Sequence, residues 1–393
     1  MFDFKYYTPT KVIFGRGTEE QAGELVKAYG GTKVLLHYGG QSAVRSGLLA
    51  RVKENLTQAG IAYVELGGVV PNPHLSKVRE GIALGVQEKI DFILAIGGGS
   101  VIDSAKAIAY GLTEPERDVW ELYKRERKAK GCLPIGTILT IAASGSEMSN
   151  SSVITNEQTG EKRSYNDDIG RSKFAIMNPE LTMTLPDYQT MSGCVDIMMH
   201  TMERYFTNGG NMEITDSISE ALLKTVMKQA EILHKEPGNY EARAEVMWAG
   251  SLSHNGLTGC GNDGGDFVAH ALEHEMGGMF DVTHGAGLAA IWCSWARYVY
   301  RDCQPRFVRF AVNVMGVCPG ANDEETALRG IDAMENFYRS IDMPANMREL
   351  GIEPTDEQIN AMAASLMRAC GGKKGSAKVL YEEDIVAIYH MAR

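Results

Sequence analysis

The pattern of apolar residues changes part-way along this chain. Up to about residue 187, short apolar runs alternate with helical stretches, and the runs are KVIFG, KVLLHY, AYVEL, DFILAI, PIGTILTI and FAIMNP. This alternation is typical of βαβ units around a largely parallel sheet. Beyond it, helical periodicity dominates, as in GCVDIMMHTMERYF, SISEALLKTVMKQAEIL and EEDIVAIYHMAR. The sequence therefore predicts an α/β domain at 1–187 and an all-α domain at 188–393.

Length and charge fit this division and exclude several classes of protein. A chain of 393 residues exceeds what one compact core usually supports. A net charge of −11 without a long basic run argues against a nucleic-acid partner, because the phosphate backbone would be repelled. The sequence has neither a long uncharged apolar run nor a signal-peptide pattern, which predicts a cytoplasmic protein without a membrane span. Seven cysteines without a CxxC pair predict reduced thiols.

A glycine-rich turn follows the apolar run DFILAI and opens the helical stretch VIDSAKAIAYGL. The turn consists of Gly97, Gly98, Gly99 and Ser100. Glycines there let backbone N–H groups and a helix N-terminus approach a pyrophosphate closely, although the pattern is not GxGxxG. The turn is thus a candidate dinucleotide site, with a tight turn that binds nothing as the alternative. Asp103, one turn into the helix, either binds a ribose or only favours the helix N-terminus.

A second polar turn, with Gly39, Gly40 and Ser42, follows the run KVLLHY. Doubly wound nucleotide folds usually present an acidic residue here to the ribose 2′-hydroxyl, and this chain has none. Two glycines and a hydroxyl near Arg45 instead leave room and donors for a 2′-phosphate. An ordinary surface turn is the alternative. The small and hydroxyl residues of 140–150 also suit a nicotinamide and phosphate surface, as do many polar loops.

Histidines cluster in the second half of the chain. His270, His274 and His284 lie within fifteen residues, although the whole chain has only nine histidines. His270 and His274 are spaced i,i+4 and share a helix face, and Asp196 and His200 repeat that spacing. Imidazoles with a carboxylate suit Fe(II) or Zn(II), and the lack of thiolates argues against a structural zinc site. The cluster predicts a metal site, with buried hydrogen-bonded histidines as the alternative.

Taken together, these motifs resemble the iron-containing (group III) alcohol dehydrogenase family, in particular its butanol dehydrogenase-like and NADPH-dependent aldehyde reductase branch. The resemblance runs from KVIFGRGT through GGGSVIDSAKAIA, SGSE, MNPELTMTLP and DIMMH to the histidine-rich block. It implies a Rossmann-like nucleotide-binding domain followed by a helical domain, the dehydroquinate synthase-like architecture, with a metal in the cleft. It also implies an enzyme that moves a hydride between a nicotinamide cofactor and a small alcohol or aldehyde.

The resemblance also implies roles for individual residues. It assigns one divalent metal, Fe(II) or Zn(II), to Asp196, His200, His270 and His284. It assigns a substrate contact or proton relay to His274. NAD-preferring members carry an aspartate where this chain has Gly39, so this glycine and Ser42 favour NADP(H), with NAD(H) as the alternative. The cofactor-binding residues that it implies are Gly39, Gly40, Ser42, Gly97, Gly98, Gly99, Ser100, Asp103, Thr140, Ser144 and Lys162.

Two further expectations concern assembly and competing activities. The family forms homodimers in which N-terminal strands pair across subunits, and the β-rich start FKYYTPTKVIF is compatible with this. A polyol dehydrogenase or a dehydroquinate synthase-like lyase would share the architecture, but such enzymes typically use fewer metal ligands. A metallohydrolase would need the histidines but not the nucleotide turns. A non-catalytic nucleotide-binding protein would not need the metal ligands.

Overall fold

The computed structural model describes residues 1–393, which form two compact units. The α/β unit is the continuous segment Thr8–Thr184, and the helical unit combines Met1–Tyr7 with Leu185–Arg393. The sequence suggested a division at residue 187 with the whole N-terminus in the α/β domain. The first seven residues instead pack with the helical unit, where the Phe2 N–H donates to the Gly261 carbonyl at 2.9 Å.

Strands of the α/β unit form one sheet and one hairpin. They are β1 (Lys11–Phe14), β2 (Lys33–Tyr38), β3 (Ala62–Leu66), β4 (Phe92–Gly97), β5 (Ile135–Leu139), β6 (Ser151–Asn156), β7 (Glu161–Asn166) and β8 (Phe174–Met177). Six of them pair in parallel in the order β1-β8-β5-β4-β2-β3, and each contains one of the predicted runs. The antiparallel hairpin β6–β7 was not predicted, because its second strand, EKRSYN, has only one hydrophobic residue, Tyr165.

The helices of this unit are α1 (Ala22–Ala28), α2 (Ser42–Arg45), α3 (Leu48–Gln58), α4 (Leu75–Glu88), α5 (Gly99–Gly111) and α6 (Trp120–Tyr123). The central strand β4 is buried along its whole length, as expected for a parallel strand that is covered on both faces. Carboxyl ends of parallel strands lie at the same edge of a sheet. The turns after β2, β4 and β5 therefore meet at one edge, where α/β folds bind their ligands.

The helical unit confirms the predicted all-α second half. Its helices are α7 (Asp187–Tyr205), α8 (Glu213–Lys235), α9 (Tyr240–His254), α10 (Val268–Phe280), α11 (His284–Val299), α12 (Gln304–Asn313), α13 (Asp323–Ser340), α14 (Met347–Leu350), α15 (Asp356–Cys370) and α16 (Glu382–Ala392). Its only β-type pairing is an isolated bridge between Lys374 and Leu380. Helix α11 is central to the core, since Trp292 and Trp295 are wholly buried there.

The cysteines are free thiols, as predicted. Burial raises the pKa of Cys194, Cys293 and Cys303 to about 12, so these three thiols stay protonated at neutral pH. None of the helices combines the length and apolar character that crossing a bilayer requires.

Candidate active site

Helix α7 brings Asp196 and His200 to one buried face. The two residues are one helical turn apart, and the Asp196 Oδ1 to His200 Nδ1 distance is 3.3 Å. Only 3% of Asp196 and 4% of His200 is exposed, so neither can rely on water to solvate it. Helical spacing alone predicted this pair, and the structure contains the helix that the prediction required.

Helices α10 and α11 supply the other two predicted ligands. His270 lies in the first turn of α10, and His284 is the first residue of α11. Helix α11 approaches α7 closely at Gly285, where an added Cβ would lie 1.9 Å from the Ser192 carbonyl oxygen. Only glycine permits this contact, and the contact sets His284 beside Asp196.

Three imidazoles lie around one oxygen of Asp196. His270 Nε2 lies 3.6 Å and His284 Nε2 3.7 Å from Asp196 Oδ1, the atom that His200 also faces. The ligand atoms of Asp196, His270 and His284 all lie within 4.8 Å of one another. The structure therefore gathers Asp196, His270 and His284 as a group that could hold a metal ion, and it places His200, the fourth residue that the resemblance implies, beside Asp196.

The polar atoms at this point fit a divalent cation. Asp196 Oδ1, His200 Nδ1 and His270 Nε2 are buried and have no hydrogen-bond partner. Buried polar atoms without partners are rare, because each has lost its interaction with water and gained nothing in return. One cation would satisfy all three atoms at once, and one carboxylate with imidazoles is a donor set that suits Fe(II) or Zn(II).

Two buried carboxylates hold the imidazoles from behind. His270 Nδ1 donates to Glu203 Oε2, and His284 Nδ1 donates to Glu273 Oε2. Glu203 also accepts a hydrogen bond from the His270 backbone N–H at 3.0 Å. Such carboxylate–histidine pairs fix the tautomer with Nδ1–H and leave Nε2 as the ligand atom. Both imidazoles consequently present Nε2 to Asp196.

The surroundings of the site shift the pKa values of His200 and His270 in opposite directions. Burial lowers the pKa of His200 well below its ordinary value, and nearby His254 and His270 lower it further. The His254 ring stacks on that of His200, with centroids 4.0 Å apart. Burial also acts to lower the pKa of His270, but Glu203 and Asp196 outweigh it and raise the pKa to about 9. A cation that binds His270 therefore displaces a proton, whereas His200 is already neutral.

His274 flanks this group. Its ring centroid lies 5.8 Å from that of His284 and 6.3 Å from that of His270. Its ligand atom lies within 4.8 Å of those of Glu273 and His284, but it is not among the atoms gathered around Asp196. This location suits a group beside the metal site better than a fifth ligand, and its role in proton transfer stays a prediction.

In the α/β unit, the structure brings together two of the predicted cofactor segments. Gly97 ends β4, and Gly98, Gly99 and Ser100 form the start of α5. The Thr140 N–H donates to the Gly97 carbonyl at 3.0 Å. An added Cβ at Gly99 would lie 2.2 Å from Ser144 Oγ, so only glycine allows this contact. The glycine-rich turn and the segment from Thr140 to Ser144 thus form one surface.

The predicted 2′-phosphate turn lies at the same edge of the sheet. Gly39 and Gly40 follow β2, the neighbour of β4, and Ser42 begins α2. An added Cβ at Gly39 would have Val69 O as its nearest atom, at 3.5 Å, which is an ordinary contact. Gly39 is therefore not required by packing, and the turn has space for a ligand group.

Two other predicted cofactor residues lie on or beside the β6–β7 hairpin. Lys162 is on β7, opposite Thr155 of β6. Asp103 Oδ1 accepts a hydrogen bond from Ser146 Oγ at 2.5 Å, and its Oδ2 accepts one from the Val153 N–H at 2.9 Å. Both carboxylate oxygens of Asp103 thus bond within the protein. Ribose binding by Asp103 and cofactor binding by Lys162 stay predictions.

Comparison with known proteins identifies the family. Residues 9–179 match the family described as "Iron-containing alcohol dehydrogenase", and residues 190–393 match "Fe-containing alcohol dehydrogenase family, C-terminal". The chain belongs to the iron-containing alcohol dehydrogenase family. Membership makes it an oxidoreductase, and it confirms the fold and the resemblance that the sequence motifs indicated.

Members of this iron-containing alcohol dehydrogenase family match along most of the chain. The chain is 39% identical to "NADH-dependent butanol dehydrogenase A" of Clostridium acetobutylicum over 99% of both chains. It is 33% identical to "NADPH-dependent aldehyde reductase YqhD" of Escherichia coli over 90% of both. The crystal structure of "NADH-dependent butanol dehydrogenase A" from Thermotoga maritima superposes with a TM-score of 0.95 at 38% identity, covering 100% of this chain and 99% of that one.

Sequence analysis of this alcohol dehydrogenase missed Glu203, Glu273 and His254. A signal for Glu203 existed, because it lies seven residues after Asp196 and three after His200, on the same face of α7. Glu273 is likewise three residues after His270. Neither spacing shows that a carboxylate is wholly buried, and burial is what distinguishes these two from surface glutamates. His254 had no local signal at all.

Proposed function

We propose that this enzyme interconverts small primary alcohols and aldehydes, of about the size of butanol and butanal, by hydride transfer with NADP(H). The observation that carries the proposal is the convergence of three imidazoles on Asp196 Oδ1, at 3.3, 3.6 and 3.7 Å. The names of relatives support the substrate class, since they include butanol dehydrogenases and an aldehyde reductase.

Asp196, His200, His270 and His284 are the residues that would hold the metal, with Fe(II) as our first choice and Zn(II) as the second. When bound, the metal supplies Lewis-acid polarisation of the substrate oxygen, and the nicotinamide supplies or accepts the hydride. Glu203 and Glu273 keep the imidazoles oriented for this purpose. In aldehyde reduction, His274 would donate the proton that the substrate oxygen gains as the alcohol forms, and in alcohol oxidation it would accept the hydroxyl proton, as a general acid and base.

The preference for NADP(H) rests on the turn after β2. The relatives differ in this respect, because the names of some specify NADH and that of another specifies NADPH. Gly39 contributes no negative charge and leaves space, and Ser42 offers a hydroxyl at the start of α2. A 2′-phosphate is dianionic, so a turn without a carboxylate accepts it without repulsion.

We further propose a cytoplasmic homodimer. Strand β1 is an edge strand that pairs only with β8, so its other edge offers backbone N–H and C=O groups to a second chain. The exposed aromatic side chains of Phe2, Phe4 and Tyr7 lie in the segment that precedes this strand. Sedimentation equilibrium of the purified protein tests the oligomeric state.

Replacing one proposed ligand tests the proposed function. We expect His270→Ala to lose both bound metal and NADPH-dependent reduction of butanal, because a carboxylate and two imidazoles hold a divalent ion less tightly and in a changed geometry. Metal content is measured by plasma mass spectrometry after reconstitution with Fe(II) or Zn(II). His390→Ala, an exposed histidine of α16, is the matched control and keeps both properties. A metal-free variant with full activity would overturn the assignment.

A further inference from the structure

One lysine in the α/β unit is wholly buried. Lys106 lies on α5, two turns after the glycine-rich turn, and no part of it is exposed. Its Nζ donates to five oxygens, none of which belongs to a carboxylate. These oxygens are Ser146 O at 2.7 Å, Ser146 Oγ at 3.0 Å, Ser149 O at 3.0 Å, Ser149 Oγ at 3.4 Å and Ser151 O at 2.8 Å.

These contacts all come from one short stretch of chain, residues 146–151. Three of the five are backbone carbonyls, which would otherwise need partners among buried groups. The ammonium shares its three N–H groups among these oxygens. It therefore holds the backbone at Ser146, Ser149 and Ser151. Loss of the ammonium would leave the Ser146 and Ser149 carbonyls unpaired, would leave Ser151 O with only the Ser149 hydroxyl at 3.5 Å, and would free the stretch to move.

Asp103 completes the attachment from the same helix. It lies three residues before Lys106, and its carboxylate bonds to Ser146 Oγ and the Val153 N–H. Its backbone carbonyl accepts a hydrogen bond from Ser152 Oγ at 2.8 Å. Helix α5 therefore holds residues 146–153 through a cation and an anion in adjacent turns.

The same helix begins with the glycine-rich turn, and this turn packs on Ile141 and Ser144, which lie just before the held segment. An added Cβ at Gly99 would lie 2.2 Å from Ser144 Oγ, and one at Gly98 would lie 2.8 Å from Ile141 Cβ. The proposed pyrophosphate turn and residues 140–153 are consequently joined to one rigid helix. A shift of the held segment would alter the surface that both present to a cofactor.

We propose that Lys106 is a positioning residue for cofactor binding, whose ammonium holds residues 146–151 in the conformation that receives the nicotinamide cofactor. This inference rests on the proposed function, because it concerns the cofactor of that reaction. A segment that is fixed before binding loses less conformational freedom when the cofactor binds, so the gain appears as affinity. Burial lowers the pKa of Lys106 to about 8, with Asp103 and Glu147 acting to raise it, so the ammonium form persists at neutral pH.

Lys106→Met tests this inference, because it keeps most of the side-chain volume and removes the charge. We expect the Kd for NADPH, measured by quenching of protein fluorescence, to rise at least about tenfold. The KM for NADPH should rise by a similar factor, while kcat at saturating NADPH changes less than about threefold. Metal content should not change, because the proposed ligands all lie in the helical unit. Hydrogen exchange should become faster at residues 146–153 and not in β4 or β5.

Asp91→Ala is the matched control. The Asp91 carboxylate also ties down a loop, by accepting hydrogen bonds from the Thr32 N–H at 2.9 Å and the Lys33 N–H at 3.0 Å. It precedes β4, at the edge of the sheet opposite to the cofactor turns. We expect Asp91→Ala to lower stability and to leave the Kd for NADPH within about twofold of the wild-type value.

The outcomes separate the inference from the proposed function. Wild-type protein that binds neither NADPH nor NADH contradicts the proposed function. Wild-type protein that binds NADPH while Lys106→Met binds it equally well contradicts only the role of Lys106. If Lys106→Met does not fold, hydrogen exchange of the cofactor-free wild type decides. Protected amides at Met148, Ser149 and Val153 support the inference, and exchange at the rate of an unstructured chain overturns it.

Discussion

Glu203 and Glu273 set the direction in which two imidazoles point. Each accepts a hydrogen bond from a histidine Nδ1, and each is almost completely buried. A carboxylate can only accept, so the pairing allows one tautomer and leaves Nε2 free of its proton once a metal binds. The geometry around Asp196 therefore depends on residues that do not themselves reach it.

Glu203→Gln should weaken metal binding without preventing folding. Glutamine has nearly the same volume, but its neutral amide no longer favours the Nδ1–H tautomer of His270. We expect metal affinity to fall about 10- to 100-fold. Competition with a chelator of known affinity measures the change. Glu245→Gln, on the exposed side of α9, is the control, and equal affinities for the two variants would show that Glu203 does not act through His270.

Gly39 should govern the choice between the two nicotinamide cofactors. Gly39→Asp places a carboxylate where the proposed 2′-phosphate binds, and the site has room for it. We expect the ratio of kcat/KM for NADPH to that for NADH to fall by about tenfold or more, because like charges repel. Gly39→Asn, which has the same size without the charge, is the control. An unchanged ratio in the aspartate variant would contradict the assignment of this turn.

The sequence predicted the proposed metal ligands better than the tertiary contacts that position them. The i,i+4 spacing of Asp196 and His200 is a local property of a helix, so it could be inferred from the order of residues alone. The proximity of His284 to Asp196 depends on the close contact of α7 and α11 at Gly285. A Cβ added to Gly285 would lie only 1.9 Å from the Ser192 carbonyl oxygen. Such a contact depends on tertiary packing, so the histidine cluster indicated a metal site, but only the family resemblance identified His284 rather than His274 as a ligand.

Strand β2 is connected to β3 and to α5 through one buried histidine. His37 Nδ1 lies 3.1 Å from the Leu66 carbonyl oxygen, and its Nε2 lies 2.9 Å from Ser104 Oγ. Burial lowers the pKa of His37 from 6.5 to about 4, because the protonated ring would be charged in the core. His37 thus favours folding only in its neutral form. It lies on β2, close to the turns that follow β2 and β4.

Acid should destabilise the protein through His37. In the unfolded chain the ring takes up a proton near pH 6.5, whereas in the folded protein it does so only near pH 4. Stability from this group is complete above pH 6.5 and decreases as the pH falls, by about 3 kcal/mol at about pH 4. Urea unfolding at several pH values measures this loss. His37→Gln, which cannot be protonated, should show a correspondingly smaller decrease, and identical pH profiles would contradict the prediction.

Elements were predictable where their apolar pattern was strong. Strand β4 is an apolar run buried on both faces, and its assignment from sequence is confirmed. The hairpin β6–β7 could not be recognised, because the strand EKRSYN is mostly polar and Tyr165 is its only buried residue, so it has no apolar pattern of its own. Part of the predicted cofactor surface therefore lies on an element whose existence only the tertiary structure reveals.

Metal binding should stabilise the whole helical unit. The proposed ligands come from α7, α10 and α11, so one cation would join three helices that are distant in sequence. A ligand that binds only the folded state at 100 times its Kd stabilises that state by about 2.7 kcal/mol. We expect Fe(II) or Zn(II) to raise the Tm of chelator-treated wild-type protein in scanning calorimetry. His284→Ala should show a much smaller rise, and equal shifts in both proteins would argue against the four-ligand site.

The division into two units could be inferred from the change of pattern near residue 187, because β-type runs stop there. The assignment of residues Met1–Tyr7 to the helical unit could not be inferred from the sequence. The β-rich composition of FDFKYY does not point to either unit, and its position depends on contacts such as that between Phe2 and Gly261. Long-range contacts of this kind involve loops whose partners have no sequence signature.

The assignment of Met1–Tyr7 to the helical unit has a consequence for biosynthesis. A ribosome completes the α/β unit once Thr184 has emerged, and that continuous segment can then fold while translation proceeds. Residues Met1–Tyr7 are made before this unit and must wait for partners near Gly261 that are translated much later. A nascent chain stalled just after Thr184 has emerged should therefore carry a folded α/β unit, with the aromatic segment before it still accessible to chaperones and proteases.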